Sequence, residues 1–90
     1  MEIVFDHAKR DRALKERGLD FAAAGAVFLS RHYTFPDLRQ DYGEERFITI
    51  GPLKGKLVVI VWTPRARARR IISMRRANDR EKARYEKYLE

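Results

Sequence analysis

The residues of this chain best suited to chemistry are arginines, and they are concentrated at one end. From Arg65 to Glu90 there are ten Lys or Arg against four Asp or Glu, a balance of +6; from Met1 to Pro64 there are ten against nine, a balance of +1. Almost all of the net charge of +7 therefore sits in the last 26 residues. A guanidinium is a flat, permanently charged fork that can hold two phosphate oxygens at once. Massed in one place, such groups make a field that attracts a polyanion, most commonly nucleic acid. Other chemistries lack their residues. With no cysteine, neither a disulfide framework nor a thiolate zinc site can be built. His7 and His32 do not have the i, i+4 spacing of a helical metal site, so no metal and no cofactor is expected. There is no glycine-rich phosphate loop, nucleophile elbow or carboxylate pair at catalytic spacing.

Elements must position these arginines. The 90 residues are read as one domain, 1–90, with a small core. Glu2 to Phe5 reads as a short strand. Asp6 is placed to cap a helix over His7 to Arg17 that Gly18 closes, and Asp20 to cap a second helix ending near Leu29. Tyr33-Thr-Phe suggests a short strand inside a segment otherwise read as loop. Arg46-Phe-Ile-Thr-Ile-Gly is β-rich, Pro52 to Lys56 is a turn cluster, and Leu57 to Thr63 is a β-branched run expected at the centre of a sheet, ended by Pro64. Arg69 to Arg76 alternates, which predicts Arg70, Ile72, Met74 and Arg76 on one face and Arg69, Ile71, Ser73 and Arg75 on the other. Asn78 and Glu81 have the spacing of a capping box, opening a last helix with a weak apolar stripe, expected on the sheet's edge and partly mobile. The fold class is α+β: an N-terminal strand, two helices, an antiparallel meander of three to four strands and a C-terminal helix. No secretory signal is visible, and the longest apolar run, Leu57 to Trp62, is six residues. A cytoplasmic protein without a membrane partner is expected.

Three separated blocks carry a resemblance: Phe5-Asp6-x-x-Lys9…Arg17-Gly18-Leu-Asp-Phe21; Gly43-Glu-Glu-Arg46…Ile50-Gly51; and Arg70-Ile-Ile-Ser-Met-Arg-Arg-Ala77…Arg80-Glu81…Tyr85. In order and spacing the chain resembles the BrnT toxins of bacterial type II toxin–antitoxin systems over nearly its whole length. The resemblance implies a RelE-like fold and metal-independent RNA cleavage that shuts down translation. It implies two partners, an RNA substrate and a BrnA-like ribbon-helix-helix antitoxin, with operator DNA reached indirectly through the antitoxin. Relatives commonly have Asn where this chain has Ala13, and His-Gly where it has Arg17-Gly18. Arg17 keeps a positive donor but shuttles no proton near neutral pH.

Metal-free cleavage uses the 2′-OH as nucleophile and needs a base, cations around the phosphorane and a proton for the leaving oxygen. The expected catalytic set is Lys9, Arg46, Arg70, Arg76 and Glu81, and the expected RNA contacts are Arg17, Arg69, Arg75, Arg80 and Tyr85. Lys9 lies one turn into the first helix, where a cation opposes the helix dipole. Glu81 is either a general base or simply the capping-box carboxylate. Tyr85 either stacks on a base or packs with Tyr88 and Leu89, which share its helix face. Ala13 and Arg17 leave room for a rival from another class, a nucleic-acid- or antitoxin-binding module without chemistry.

Overall fold

The computed structural model describes residues 1–89; the last residue of the expected C-terminal helix, Glu90, lies outside the described residues. The elements are β1 (Glu2–Phe5), α1 (His7–Arg17), α2 (Ala24–Leu29, entered through a 3-10 turn at Phe21–Ala23), β2 (Tyr33–Pro36), β3 (Phe47–Leu53), β4 (Lys56–Arg65), β5 (Ala68–Arg76) and α3 (Asp79–Tyr85, followed by a 3-10 turn at Glu86–Tyr88). The caps fall where side-chain chemistry puts them. The Asp6 carboxylate accepts from Lys9 N at 3.0 Å, and Gly18 ends α1 at φ 69, a left-handed conformation that costs glycine little. Asn78 and Glu81 complete both halves of a capping box at 2.8 and 2.9 Å.

The strands form one sheet in the order β1-β5-β4-β3-β2. β2 to β5 are an antiparallel meander, and β1 joins β5 in parallel from Glu2↔Ala68 to Phe5↔Ile71. The sheet is therefore mixed, not antiparallel throughout as expected. After β1 the chain crosses one face through α1 and α2 and starts the meander at the far edge. Four alternating strands then bring β5 back beside β1, running the same way. β4 is central, as its apolar run requires, and Val58 to Thr63 are all buried. Pro64 does not end it; the strand carries Pro64 opposite Arg69 and turns only after Arg65.

One irregularity decides where the arginines point. Val61 pairs with Ser73, but Trp62 pairs with Ile71, so Ile72 is an extra residue in β5. Such a bulge resets the alternation of side chains. Ile71 and Met74 are then both buried in the core beneath α1 and α2, which strict alternation forbids. Arg69 and Arg76 follow them to this helical face, whereas Arg70, Ser73 and Arg75 lie on the other. This corrects the expected pairing: Arg70 shares a face with Arg75, not with Arg76.

The helical-face core joins Phe21, Ala24 and Val27 to Val58, Ile60, Trp62, Ile71 and Met74. Its polar atoms are partnered: Trp62 Nε1 donates to Thr49 Oγ1 at 2.8 Å, which contacts Thr34 Oγ1 at 2.8 Å. On the opposite face a smaller cluster of Ile50, Val59 and Ala77 is covered by Phe35, Tyr85 and Leu89. α3 thus lies over this face rather than on the sheet's edge. The helical face is tight at Gly51, where a Cβ would meet Val27 Cγ1 at 2.7 Å and His32 Cβ at 3.1 Å. Val27 is fully buried and has no space to retreat into. Gly51→Ala is expected to cost about 1–3 kcal/mol, which a thermal melt reads as a lower midpoint.

Candidate nucleic-acid interface

A groove of about 400 Å³ runs between the sheet and α3. It is lined by Phe35, Ile48, Ile50, Val59, Val61, Ser73 and Arg75 of the sheet, by Arg39 from the loop after β2, and by Arg80, Glu81, Arg84 and Tyr85 of α3. The capping box sets where α3 starts, and a stack of Tyr85 on Phe35, with centroids 6.0 Å apart and planes 9° off parallel, holds it to β2. The Arg75 fork binds the Glu81 carboxylate through two bonds of 2.8 Å. Arg75 holds the Glu81 carboxyl below its usual range, and Glu81 raises Arg75 in return. Arg39 is anchored by Asp37, which takes its Nε at 2.8 Å and Nη2 at 2.7 Å. Arg39 also opposes Arg75 electrostatically, so two fixed guanidiniums of like charge are held at one site. Of the expected residues, this groove brings together Arg75, Arg80, Glu81 and Tyr85. Arg39 and Arg84 are not among the residues expected from the sequence. Arg84 was legible in principle, one helical turn after Arg80; Arg39 gave no signal, because it comes from a loop.

The remaining expected residues fall at four other places. Arg46 and Arg70 lie at the other end of the groove face. Arg70 stands opposite Thr63, whose Oγ1 donates to Glu45 O at 2.6 Å. The Arg46 guanidinium lies 3.9 Å over the Tyr42 ring, and its buried Nε has no hydrogen bond, with Glu44 3.9 Å away. From the Thr63 row to the Val59 row, where Arg75 sits, is four residues of β4, about 13 Å. Lys9 and Arg17 line a cleft of about 170 Å³ against Ile72 and Ser73. Ser73 borders this cleft and the groove, so the two are joined across the edge of β5 that β1 leaves uncovered. Arg69 lies outside both, stacked 4.1 Å from Phe28 and 5.2 Å from Trp62. Its Nε is buried without a partner, and burial pushes its pKa down. Arg76 stands at the hairpin end of the helical face beside Lys54 and Lys56.

The chain itself finds a counterpart among known families. The family described as the ribonuclease toxin BrnT of type II toxin–antitoxin systems matches residues 5–81. The chain belongs to the BrnT family. No curated protein is similar enough to match it. BrnT proteins are ribonuclease toxins of type II toxin–antitoxin systems, a family that acts on RNA and is paired with an antitoxin. The matched BrnT segment ends at Glu81, so Arg84 and Tyr85 of the α3 wall lie beyond it. Among the described residues no helix is long and apolar enough to cross a membrane. Ala13 and Arg17, the two positions at which a departure from the family was expected, are both built into the structure: Ala13 is buried in the core, and Arg17 Nη1 donates to Met74 O at 3.0 Å on β5. Neither histidine lines the groove. His7 packs edge-on to Phe5, and His32 to Phe28.

The Arg39 anchor makes stability depend on pH. Asp37 has a fully buried side chain, and Arg39 holds its carboxyl at about 2, down from 3.8. A depressed carboxylate stabilises the fold above its unfolded value and loses that contribution as pH falls through the folded one. Stability is therefore expected to fall between about pH 4 and pH 2. Urea melts across that window check this, and Asp37→Asn, which has no charge to lose, is expected to show a shallower decline.

Proposed function

We propose that this chain is a metal-independent endoribonuclease on a RelE-like scaffold, cutting single-stranded RNA in the groove between the sheet and α3. It acts in the cytoplasm until a BrnA-like ribbon-helix-helix antitoxin binds it, and operator DNA is reached only through that antitoxin. The observation that carries this reading is the set of four arginines, Arg39, Arg75, Arg80 and Arg84, around an apolar floor. The 2′-OH gives its proton to water and attacks the adjacent phosphorus, the bond to the 5′ oxygen breaks as that oxygen takes a proton from water, and a 2′,3′-cyclic phosphate and a 5′-OH are left. Charge builds on the phosphorane oxygens, where fixed guanidiniums stabilise it most. Arg75 is fixed in this sense, because Glu81 and the α3 cap hold its fork in place. Glu81 serves chiefly as that clamp: both its oxygens are bonded and its basicity is lowered. Arg46 and Arg70 hold the strand about 13 Å away, and Lys9 and Arg17 meet it where it passes over the edge of β5. Arg69 and Arg76 take no part in the groove.

Purified protein incubated with labelled single-stranded RNA in excess EDTA is expected to give products ending in 2′,3′-cyclic phosphate. A strand with deoxyribose at the cut position is expected to stay whole. RNA left intact at low salt and high protein concentration, with or without added magnesium, overturns the reading. Arg17 bonded to Met74 O, and a groove that neither histidine lines, favour a second reading: a module that binds RNA without cutting it. RNA retained on the protein but undamaged is its signature.

A further inference from the structure

At the hairpin end of the sheet, two clefts flank the β3–β4 turn. One, of about 450 Å³, is lined by Leu14, Arg17, Leu19, Leu53, Lys54 and Arg76 among others; the second, of about 480 Å³, adds Leu57, Lys82, Glu86 and Leu89. Lys56 and Arg76 border both, so the clefts meet along one ridge. Neither shares a lining residue with the groove between the sheet and α3, and of their lining residues Arg17 alone also borders the cleft at the edge of β5.

Two properties set this surface apart. The first is an excess of positive charge, which the attraction between Lys54 and Asp20 offsets only in part. Arg17, Lys54, Lys56, Arg76 and Lys82 face two carboxylates, Asp20 and Glu86. Asp20 is already committed to Arg10, with bonds of 2.8 and 2.9 Å, and to Ala22 N at 2.9 Å. Among the described residues, Lys54, Lys56, Arg76 and Lys82 form no ion pair, whereas Arg39 and Arg75 in the groove each have one. The second is the walls. Leu14, Leu19, Leu53, Leu57 and Leu89 are aliphatic, and no aromatic ring lines either cleft. Leu14 is left 40% exposed there, on a helix in which only Ala13 is buried. Single-stranded RNA is held by rings on which its bases stack, so this lining does not suit it. Aliphatic hollows rimmed by cations suit a peptide with leucine-type anchors flanked by carboxylates.

We infer that the paired clefts are a docking site for an acidic amphipathic segment of the antitoxin, separate from the RNA groove. The identity of the partner rests on the toxin–antitoxin reading; the chemistry of the segment rests on the clefts alone. Lys82, Glu86 and Leu89 belong to α3 and the turn after it, so an occupant here also braces the helix that walls the groove.

The test uses a fluorescent synthetic peptide with Leu and Glu along one helical face, the same peptide with Gln for Glu, and a short single-stranded RNA. Binding is measured at about 0.15 M salt, where charges more than about 8 Å apart are screened. The Glu peptide is expected to bind the whole protein, and the Gln peptide at least about tenfold more weakly. Lys54→Glu with Lys56→Glu is expected to produce a similar loss while leaving RNA affinity unchanged. Both lysines are exposed, and Lys82→Glu on a different element supplies an independent reading should the double variant melt early. Peptide affinity indifferent to both sets of substitutions overturns the site. A fall in RNA affinity instead makes the surface part of the nucleic-acid interface and also overturns it. Wild-type protein that binds the peptide but no RNA sinks the ribonuclease reading and leaves this one standing.

Discussion

Arg75→Ala is expected to lower RNA cleavage by about 100-fold or more, while changing folding stability by no more than about 1 kcal/mol. The contrast follows from where Arg75 sits. Its bidentate pair with Glu81 is close, at 2.8 Å for both bonds, but the Arg75 side chain is 45% exposed, so water already competes for it. α3 keeps its N-terminal cap without Arg75, because the Asn78–Glu81 box is internal to the helix. What disappears is a fixed cation in a groove with an apolar floor, where charge stabilisation of a phosphorane has its greatest leverage. Arg75→Lys keeps the charge without the fork and is expected to fall between Ala and wild type. Glu81→Gln separates clamp from base: as a clamp only, Glu81 is expected to cost less activity than Arg75. Single-turnover cleavage and urea melts of the three variants measure both quantities. Arg75→Ala protein that folds normally and cuts RNA at the wild-type rate removes the groove as the site.

The opposite profile is expected of Ile60→Ala, which should lose about 3–4 kcal/mol of stability. A domain of this size has on the order of 5–10 kcal/mol in total, so the loss is a large fraction of the whole. Ile60 has no exposure and lies on the central strand between Thr49 and Met74, themselves fully buried. Truncation leaves a hollow that the flanking strands and α2 are too tightly packed to fill. Ile60 faces the helices and not the groove, so the fraction of protein that remains folded is expected to keep its activity. A urea midpoint within experimental error of wild type contradicts this account of the core.

Much of the architecture was legible because it depends on local chemistry. Asp6, Asp20 and Asn78 cap helices since their short side chains reach nearby backbone N–H groups, and that reach is a matter of spacing alone. Leu57 to Thr63 became the central strand because a β-branched run without alternation needs cover on both sides. Tyr33-Thr-Phe proved to be an edge strand, where Pro36 is tolerated at its end. The site was less legible. Arg75 and Arg80 of the candidate groove are among the residues expected from the sequence, yet Arg39 comes from a segment with no periodic pattern. Arg70 and Arg76 were assigned to one face by a rule that one extra residue defeats. That residue, Ile72, makes sense only in three dimensions: it lets Ile71 and Met74 both enter the core under α1 and α2.

By itself the sequence determined the α+β class, the caps, the central strand and the basic C-terminal third, each of which follows from composition or short-range spacing, and its three separated motif blocks carried the resemblance to the family. Only the tertiary structure decided which arginines share a surface, that β1 runs parallel to β5, and that α3 closes a groove over the sheet. The reason is physical. A side chain's direction depends on the running register of its strand, and register is set by what the whole sheet must bury, not by the neighbours of any one arginine.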